Sequence, residues 1–234
     1  MLTNMSKLTL ENFESYQIFL NESNLLLENC PMLIEKDPKK IYEIQKQVFT
    51  ERERIGFDTS DLRVGLLASD PYLGMLIRDA VKRNTGEVCL YNRVVTPGGV
   101  CVLPILNESI VLIKIFRHSI QDWSVEAIQG HIDSEKKDIQ VIVQEEVMEE
   151  IGAQSSGLVS LGRLYTSTPL SSENLHLFSC RIDKIGEVGY SECISSTILI
   201  PYNEILRSIK TGLICDGPTI GLIMRAFAMG IIKI

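Results

Sequence analysis

Hydrophobic positions before residue 86 recur at roughly helical spacing. They predict helices over 8–28, 38–54 and about 71–84. This front third carries no motif to which chemistry can be assigned. It is therefore expected to be a packing cap, a dimer element or a surface that binds a partner.

The pattern changes near residue 86 to short apolar runs bounded by turn residues. These runs predict strands over 88–91, 94–95, 100–106, 110–116, 124–128, 158–165, 175–182 and 194–200. Two helices, about 201–211 and 216–230, close the chain. Strands on both sides of one central helix, followed by terminal helices, indicate an α+β or mixed α/β/α sandwich.

The central helix is strongly acidic. Its apolar positions recur every fourth residue, at Ile139, Val143, Val147 and Ile151. Glu146 and Glu150 then lie one turn apart on one face, with Glu149 beside them. Like charges at this spacing destabilise an isolated helix by about 0.2–0.5 kcal/mol per pair. A hard cation such as Mg²⁺, which takes oxygen ligands, would relieve them, whereas the simpler interpretation is a solvated acidic face.

Composition narrows the class of protein. The chain has 234 residues, of which 45% are hydrophobic and 23% charged, as in an ordinary globular protein. A net charge of −7 argues against nucleic acid as a partner, because binding the phosphate backbone needs a basic surface. Six cysteines without metal-ligand spacing indicate reduced thiols in a cytoplasmic protein. The N-terminus has no signal-peptide pattern, and no apolar stretch reaches the about 20 residues needed to span a membrane.

The acidic helix resembles a known motif. Residues Glu146 to Ala153 match the E-U-x-E-E-x-G-U half of the Nudix box, in which U is apolar. The resemblance implies that Glu146, Glu149 and Glu150 hold divalent cations, Mg²⁺ or alternatively Mn²⁺, that activate water against a diphosphate. It also implies a metal contact from the carbonyl of Gln129, just before the first glycine of the box.

The front half of the box departs from the pattern. Glu145 occupies the arginine position, and the middle glutamate position falls on Lys136 or Lys137. Gly130 and Gly152 are one residue further apart than in the family pattern. These departures support a second hypothesis, a degenerate Nudix domain that binds a nucleotide ligand as a sensor or regulator without hydrolysing it.

Flanking segments resemble the ADP-ribose and ADP-sugar pyrophosphatases of the same superfamily. They are Arg117 with 123–130, the loop 165–173, and the C-terminal segment 212–219. This resemblance, which covers about 88–234, implies that Glu173 is the general base, that Arg117 contacts phosphate and that Glu126 contacts substrate. The simpler interpretations are a surface ion pair for Arg117 and a buried, hydrogen-bonded carboxylate for Glu126. Asp216 and Thr219, in the last segment, are predicted to cap the last helix.

The sequence therefore predicts an N-terminal helical extension over 1–85 and a Nudix α/β/α sandwich with a mixed sheet over 86–234. The resemblance implies Mg²⁺-dependent hydrolysis of ADP-ribose or a related nucleotide sugar to a nucleoside monophosphate and a sugar phosphate, in a homodimer. The expected partner is a small nucleoside diphosphate derivative, with no nucleic acid and no membrane. A third hypothesis is an interaction protein whose N-terminal helices recruit a partner.

Overall fold

The computed structural model describes residues 9–22, 30–72, 74–132, 138–187 and 193–234. These residues form two compact units. The front unit contains the described chain through Thr96 together with Pro169–Ser172. The back unit contains the described residues of Pro97–Thr168 and Glu173–Ile234.

The front unit combines helices with a sheet. Its elements are β1 (Leu10–Glu11), α1 (Phe13–Glu22), β2 (Met32–Ile34), α2 (Pro38–Ile55), β3 (Val64–Asp70), β4 (Gly74–Arg83) and β5 (Val88–Val95). Strand β4 pairs antiparallel with β2, β3 and β5, and β1 adds to β3 in parallel. The short segment from Pro169 to Ser172 also belongs here, because Val94 exchanges backbone hydrogen bonds with Leu170 and Ser172.

Helix α2 confirms the prediction over 38–54, and α1 confirms part of the prediction over 8–28, of which 8 and 23–28 lie outside the described residues. The helix predicted over about 71–84 is wrong, because this stretch contains strand β4. Asp79 in β4 is buried against Tyr16 and Arg93. In the sequence alone, a carboxylate at that position is typical of the solvent-exposed face of a helix, because its partners Tyr16 and Arg93 are distant in the chain.

The front unit extends beyond the predicted helical extension. It holds a sheet beside its helices, and its described residues continue past 85 to Thr96. Removing 1–85 would delete β4 and leave β5 without the strand that it pairs with from Lys82 to Met75. A truncation that tests the interaction hypothesis therefore has to remove β5 as well.

The back unit is organised around a mixed sheet. Its elements are β6 (Gly99–Leu106), β7 (Ser109–Arg117), β8 (Asp122–Glu126), β9 (Ile128–His131), α3 (Ile139–Ile151), β10 (Ser155–Tyr165), β11 (Asn174–Ile182), β12 (Ile194–Pro201), α4 (Ile205–Lys210) and α5 (Gly217–Ala228). The strand order is β10-β11-β6-β7-β12, with β8 on β7 and β9 on β6. Only the pair β6–β11 is parallel among the described strands of this sheet. The predicted α+β class with a mixed sheet is confirmed.

Helices cover both faces of this sheet. Leu103 and Ala127 belong to the apolar cluster that contains Leu222 of α5. Val102 and Ile128 belong to a second apolar cluster, which contains Val143 and Val147 of α3. Successive residues of a strand point to opposite faces, so β6 is buried from both sides. The result is a three-layer α/β/α arrangement with α3 and α5 on opposite faces.

Helix α3 has a cap at each end. The Asp138 side chain accepts a hydrogen bond from the backbone N–H of Gln140 at the N-terminus. Gly152 ends the helix in the left-handed conformation with a φ of 60°, which glycine adopts without a steric penalty. A β-carbon on Gly152 would lie 2.6 Å from the carbonyl oxygen of Glu187. The second glycine of the box is therefore required both for the turn and for this close approach.

Replacing Gly152 by alanine is expected to lower the free energy of unfolding by about 1–3 kcal/mol, because of the left-handed backbone and the contact with Glu187. Gly212 is a matched control, since it has a φ of 77° but open space around its Cα. Urea denaturation of Gly152→Ala and Gly212→Ala measures both losses. Equal losses would contradict a contribution from the contact.

Candidate active site

The three glutamates of the predicted metal site lie in the second half of α3. Glu150 is 1% exposed, whereas Glu149 is exposed and Glu146 is half-buried. Their spacing places them along one side of the helix. The buried position of Glu150 is unusual for a carboxylate, because removing a charge from water is unfavourable unless charged or polar groups compensate. The solvated-face interpretation therefore does not describe Glu150.

Gly130 of β9 lies directly against Glu146. A β-carbon built on Gly130 would overlap the carboxyl group of Glu146. The backbone of β9 is held in turn by β6, where Val100 pairs with Gly130. The first glycine of the box thus leaves the space into which the Glu146 carboxylate fits.

Arg117 and Glu126 form an ion pair between the ends of β7 and β8. The Nε of Arg117 donates to Glu126 Oε2 at 3.0 Å, and its terminal Nη2 donates to the same oxygen at 2.6 Å. Glu126 is 4% exposed, whereas the Arg117 side chain is 38% exposed. The structure thus brings these two predicted substrate contacts together as partners of each other. Contact with substrate stays a prediction for both.

Gln129 connects this pair to helix α5. Its side-chain amide donates to Glu126 Oε2 at 3.3 Å and to Asp216 Oδ2 at 3.2 Å. Asp216 also accepts from the backbone N–H and the hydroxyl of Thr219, at 2.8 and 2.6 Å. The predicted capping role of Asp216 is confirmed. Its second role, as partner of Gln129, was missed by the sequence analysis because 87 positions separate the two residues.

The charges of this cluster influence one another. Although burial lowers the pKa of Arg117, its hydrogen-bonded partner Glu126 and the charges of Glu150 and Asp216 raise it overall. Burial raises the pKa of Asp216, and the hydrogen bonds from Thr219 oppose that rise. An arginine that is charged in any folded protein therefore stands among three carboxylates. It supplies positive charge near α3, which has Glu145 at the arginine position of the box.

Glu173 lies in the loop between β10 and β11. The hydroxyl of Thr166 donates to Glu173 Oε2 at 2.6 Å, and the Thr166 N–H donates to the Glu173 carbonyl at 3.4 Å. These two bonds close the base of the loop. They leave the carboxylate half-buried, and its role as general base stays a prediction.

The donor chemistry suits the implied cation, because Mg²⁺ takes oxygen ligands. Space for one of them is built into the fold, where Gly130 admits the Glu146 carboxylate. The carboxylates are not, however, drawn together as in a formed metal centre. Within the ranges that the structure describes, no three Asp, Glu, His or Cys side chains could hold a metal ion. Lys136 and Lys137 lie outside those ranges.

A cavity of about 530 Å³ lies elsewhere, in the front unit. Residues of α2 and β4, among them Lys39, Tyr42 and Lys82, line it. It contains no residue of the predicted site. The candidate active site is therefore the region of α3 and β9 that carries the glutamates, and this cavity is separate from it.

Comparisons with known proteins bear on the fold and on the class of enzyme. No protein-family model matches the chain. It is 28% identical to a GDP-mannose pyrophosphatase of Cronobacter sakazakii over 165 residues, which are 64% of this chain and 84% of the relative. It is 27% identical to a GDP-mannose pyrophosphatase of Yersinia enterocolitica over 168 residues, 67% of this chain and 81% of the relative. A solved structure of an ADP compounds hydrolase matches 72% of this chain and 91% of its own, with a TM-score of 0.62 and 16% identity.

Among the described residues, no helix is both long and apolar enough to cross a membrane.

Proposed function

From the ADP-ribose pyrophosphatase-like Nudix fold of this chain, we propose that it hydrolyses the diphosphate of a nucleotide sugar. The predicted fold and enzyme class are confirmed by the named pyrophosphatases and the ADP compounds hydrolase. The observation that carries the proposal is the placement of Glu146, Glu149 and Glu150 along α3, with Glu146 against Gly130 of β9.

The substrate class is a nucleoside diphosphate joined to a sugar. Both curated relatives are named for GDP-mannose, and the sequence motifs resemble those of ADP-ribose pyrophosphatases. The reacting group common to GDP-mannose and ADP-ribose is the diphosphate. Water attack there gives a nucleoside monophosphate and a sugar phosphate, and the three glutamates suit that chemistry whichever base is present.

Each residue has a proposed task. Glu146, Glu149, Glu150 and the Gln129 carbonyl would hold Mg²⁺ or Mn²⁺, which lowers the pKa of bound water and neutralises charge on the diphosphate. The Glu149 side chain is exposed, so a cation can reach its carboxylate from solvent. Glu173 accepts the proton of the attacking water. Arg117 binds a phosphate oxygen with the part of its guanidinium that faces away from Glu126, and Glu126 keeps that guanidinium in place.

The proposal is tested by incubating the full chain and Mg²⁺ with GDP-mannose, ADP-ribose and ADP-glucose. Chromatography should show GMP or AMP together with the sugar phosphate, and EDTA should abolish their formation. Absence of nucleoside monophosphate with every substrate, under Mg²⁺ and under Mn²⁺, would overturn the enzymatic proposal.

Gly130→Ala is expected to lower kcat by about 10- to 100-fold, the usual effect of disturbing a group that orients a metal ligand. The added methyl group displaces the Glu146 carboxyl, which is the movable end of a side chain. The melting temperature should therefore change little. Gly217→Ala, in open space at the start of α5, is the control. Unchanged kcat in Gly130→Ala would contradict the assignment of Glu146.

The alternative function is a domain that binds a nucleotide sugar without hydrolysing it. Glu145 at the arginine position favours this alternative. A ligand that binds only the folded state raises the melting temperature. Stabilisation by GDP-mannose or ADP-ribose without product formation would identify the sensor and exclude the enzyme.

The proposal also includes a cytoplasmic homodimer that acts on a small nucleotide and binds neither nucleic acid nor membrane. The net charge of −7 supports the absence of nucleic acid. Light scattering after size-exclusion chromatography measures the oligomeric state.

A further inference from the structure

The side chain of Gln129 lies between carboxylates from distant parts of the chain. One amide nitrogen donates to Glu126 at 3.3 Å and to Asp216 at 3.2 Å. An amide nitrogen carries two hydrogens, so one can serve each carboxylate. Two like charges that would otherwise repel each other are thereby held around one neutral donor.

Helix α5 is hydrogen-bonded to the sheet at two positions, Thr219 and Arg225. Thr219, which is fully buried, accepts a hydrogen bond from the N–H of Ala127 at 2.9 Å. Farther along α5, Arg225 donates to the carbonyls of Leu161 and Arg163, each at 3.1 Å. Asp216 therefore belongs to a helix that cannot shift without breaking bonds to β10 and to the junction of β8 and β9.

Strand β9 transmits this constraint to the acidic helix. Gln129 and Gly130 are adjacent, and their side-chain positions point to opposite faces of the sheet. Gln129 is held from the side of α5, whereas the Glu146 carboxyl of α3 packs against Gly130. The position of the backbone at 129–130 thus depends on Asp216 and sets the position of Glu146.

We propose that Asp216 is a positioning residue of the candidate active site, which acts through Gln129 on the backbone of β9. The kinetic part of this proposal rests on the proposed function. The contacts of Asp216 in the structure are with Gln129 and Thr219, so it is assigned no direct contact with substrate or metal. Asp216 fixes the position of the Gln129 carbonyl and of Gly130, against which the Glu146 carboxyl packs. Loss of the Asp216 side chain should therefore reduce turnover without weakening substrate binding.

The test compares Asp216→Ala with Asp37→Ala. Asp37 caps α2 in the front unit by accepting from the Lys39 N–H at 2.8 Å, so both variants lose a helix N-cap. Asp216→Ala should lower kcat about 10-fold with KM little changed, as expected for a residue that orients others. Asp37→Ala should leave both constants unchanged. Asp216→Asn, whose amide oxygen still accepts from Gln129 and Thr219, should restore the rate.

Two further measurements separate positioning from loss of folding. Gln129→Met keeps the size of the side chain and the cap of α5, and it should reproduce the loss of kcat. Hydrogen exchange in the peptide that covers 128–132 should be faster in Asp216→Ala and Gln129→Met than in the parent chain. Mn²⁺ affinity, followed by electron paramagnetic resonance of the free ion, should fall about 10-fold in both.

The outcomes distinguish this proposal from the proposed function. Products from the parent chain, with equal kcat, Mn²⁺ affinity and exchange in Asp216→Ala and Asp37→Ala, would overturn the positioning role alone. If the parent chain forms no product, the proposed function fails. The exchange of 128–132 then decides the positioning role by itself, since faster exchange in Asp216→Ala than in Asp37→Ala supports it and equal exchange in these two variants overturns it.

Discussion

Glu150→Gln is expected to lower kcat for nucleotide-sugar hydrolysis by about 10²–10³-fold, because the stabilisation of the transition state by a bound metal amounts to several kcal/mol. Glutamine has the same shape as glutamate, and Glu150 is 1% exposed. The substitution therefore removes a charge from a closed position without opening a cavity. Steady-state kinetics under saturating Mg²⁺ measures the effect.

The fold should survive this change. A buried carboxylate needs compensation for its lost hydration, and Glu150 receives part of it from the charge of Arg117. A neutral amide needs less, so the melting temperature of Glu150→Gln should stay within a few degrees of the parent value, or rise. A stability gain together with a loss of activity would mark Glu150 as a residue kept for chemistry.

Glu145→Gln is the matched control on the same helix. Glu145 stands where the family has arginine and is not a proposed ligand. The same loss of charge at Glu145 should leave kcat within about 3-fold of the parent value, because solvent and salt screen the charge of a partly exposed side chain. Equal losses in Glu145→Gln and Glu150→Gln would mean that the charge of the helix, and not ligation by Glu150, supports activity.

The sequence was sufficient to locate this helix. Its apolar residues recur every fourth position, its glutamates all lie within 145–150, and Gly152 ends it. Each of these features is local, so none depends on contacts with residues that are distant in sequence. Most strands of the back unit were also predictable, because short apolar runs between turn residues carry the same local signal. The single strand predicted over 124–128 was wrong, since β8 ends at Glu126 on β7 and the separate strand β9 begins at Ile128 on β6.

The remaining features depend on partners that are distant in sequence. Gln129 and Asp216 are 87 positions apart, and only the packing of α5 across the sheet brings them together. Arg117 was predicted to bind phosphate, whereas the fold supplies Glu126 as its immediate partner. The sequence analysis predicted a helix where strand β4 lies. Three other strands of the front unit pair with β4, and such tertiary pairing overrides the local propensity on which the prediction depended.

Asp79 of β4 gives the second large effect. It is 2% exposed and accepts from Arg93 Nε at 2.6 Å and from the Tyr16 hydroxyl at 2.7 Å. Burial, together with the Asp79 charge and hydrogen bond, raises the pKa of Tyr16, so this hydroxyl keeps its proton and remains a donor. Arg93 also lies over the ring of Phe19. One carboxylate thus connects α1, β4 and β5.

Asp79→Ala is expected to lower the free energy of unfolding of the front unit by about 3–5 kcal/mol, since Arg93 is left as a largely buried charge without its carboxylate. Tyr16→Phe removes a single hydrogen bond and should lower it by only about 0.5–1.5 kcal/mol. Glu51→Ala, which breaks an exposed ion pair with Arg54, should change nothing measurable. Hydrogen exchange of peptides from α1, β4 and β5 reports each value. If Asp79→Ala matched Tyr16→Phe, the Arg93 charge would contribute nothing, and hydrogen bonding to Tyr16 alone would account for the burial of this carboxylate.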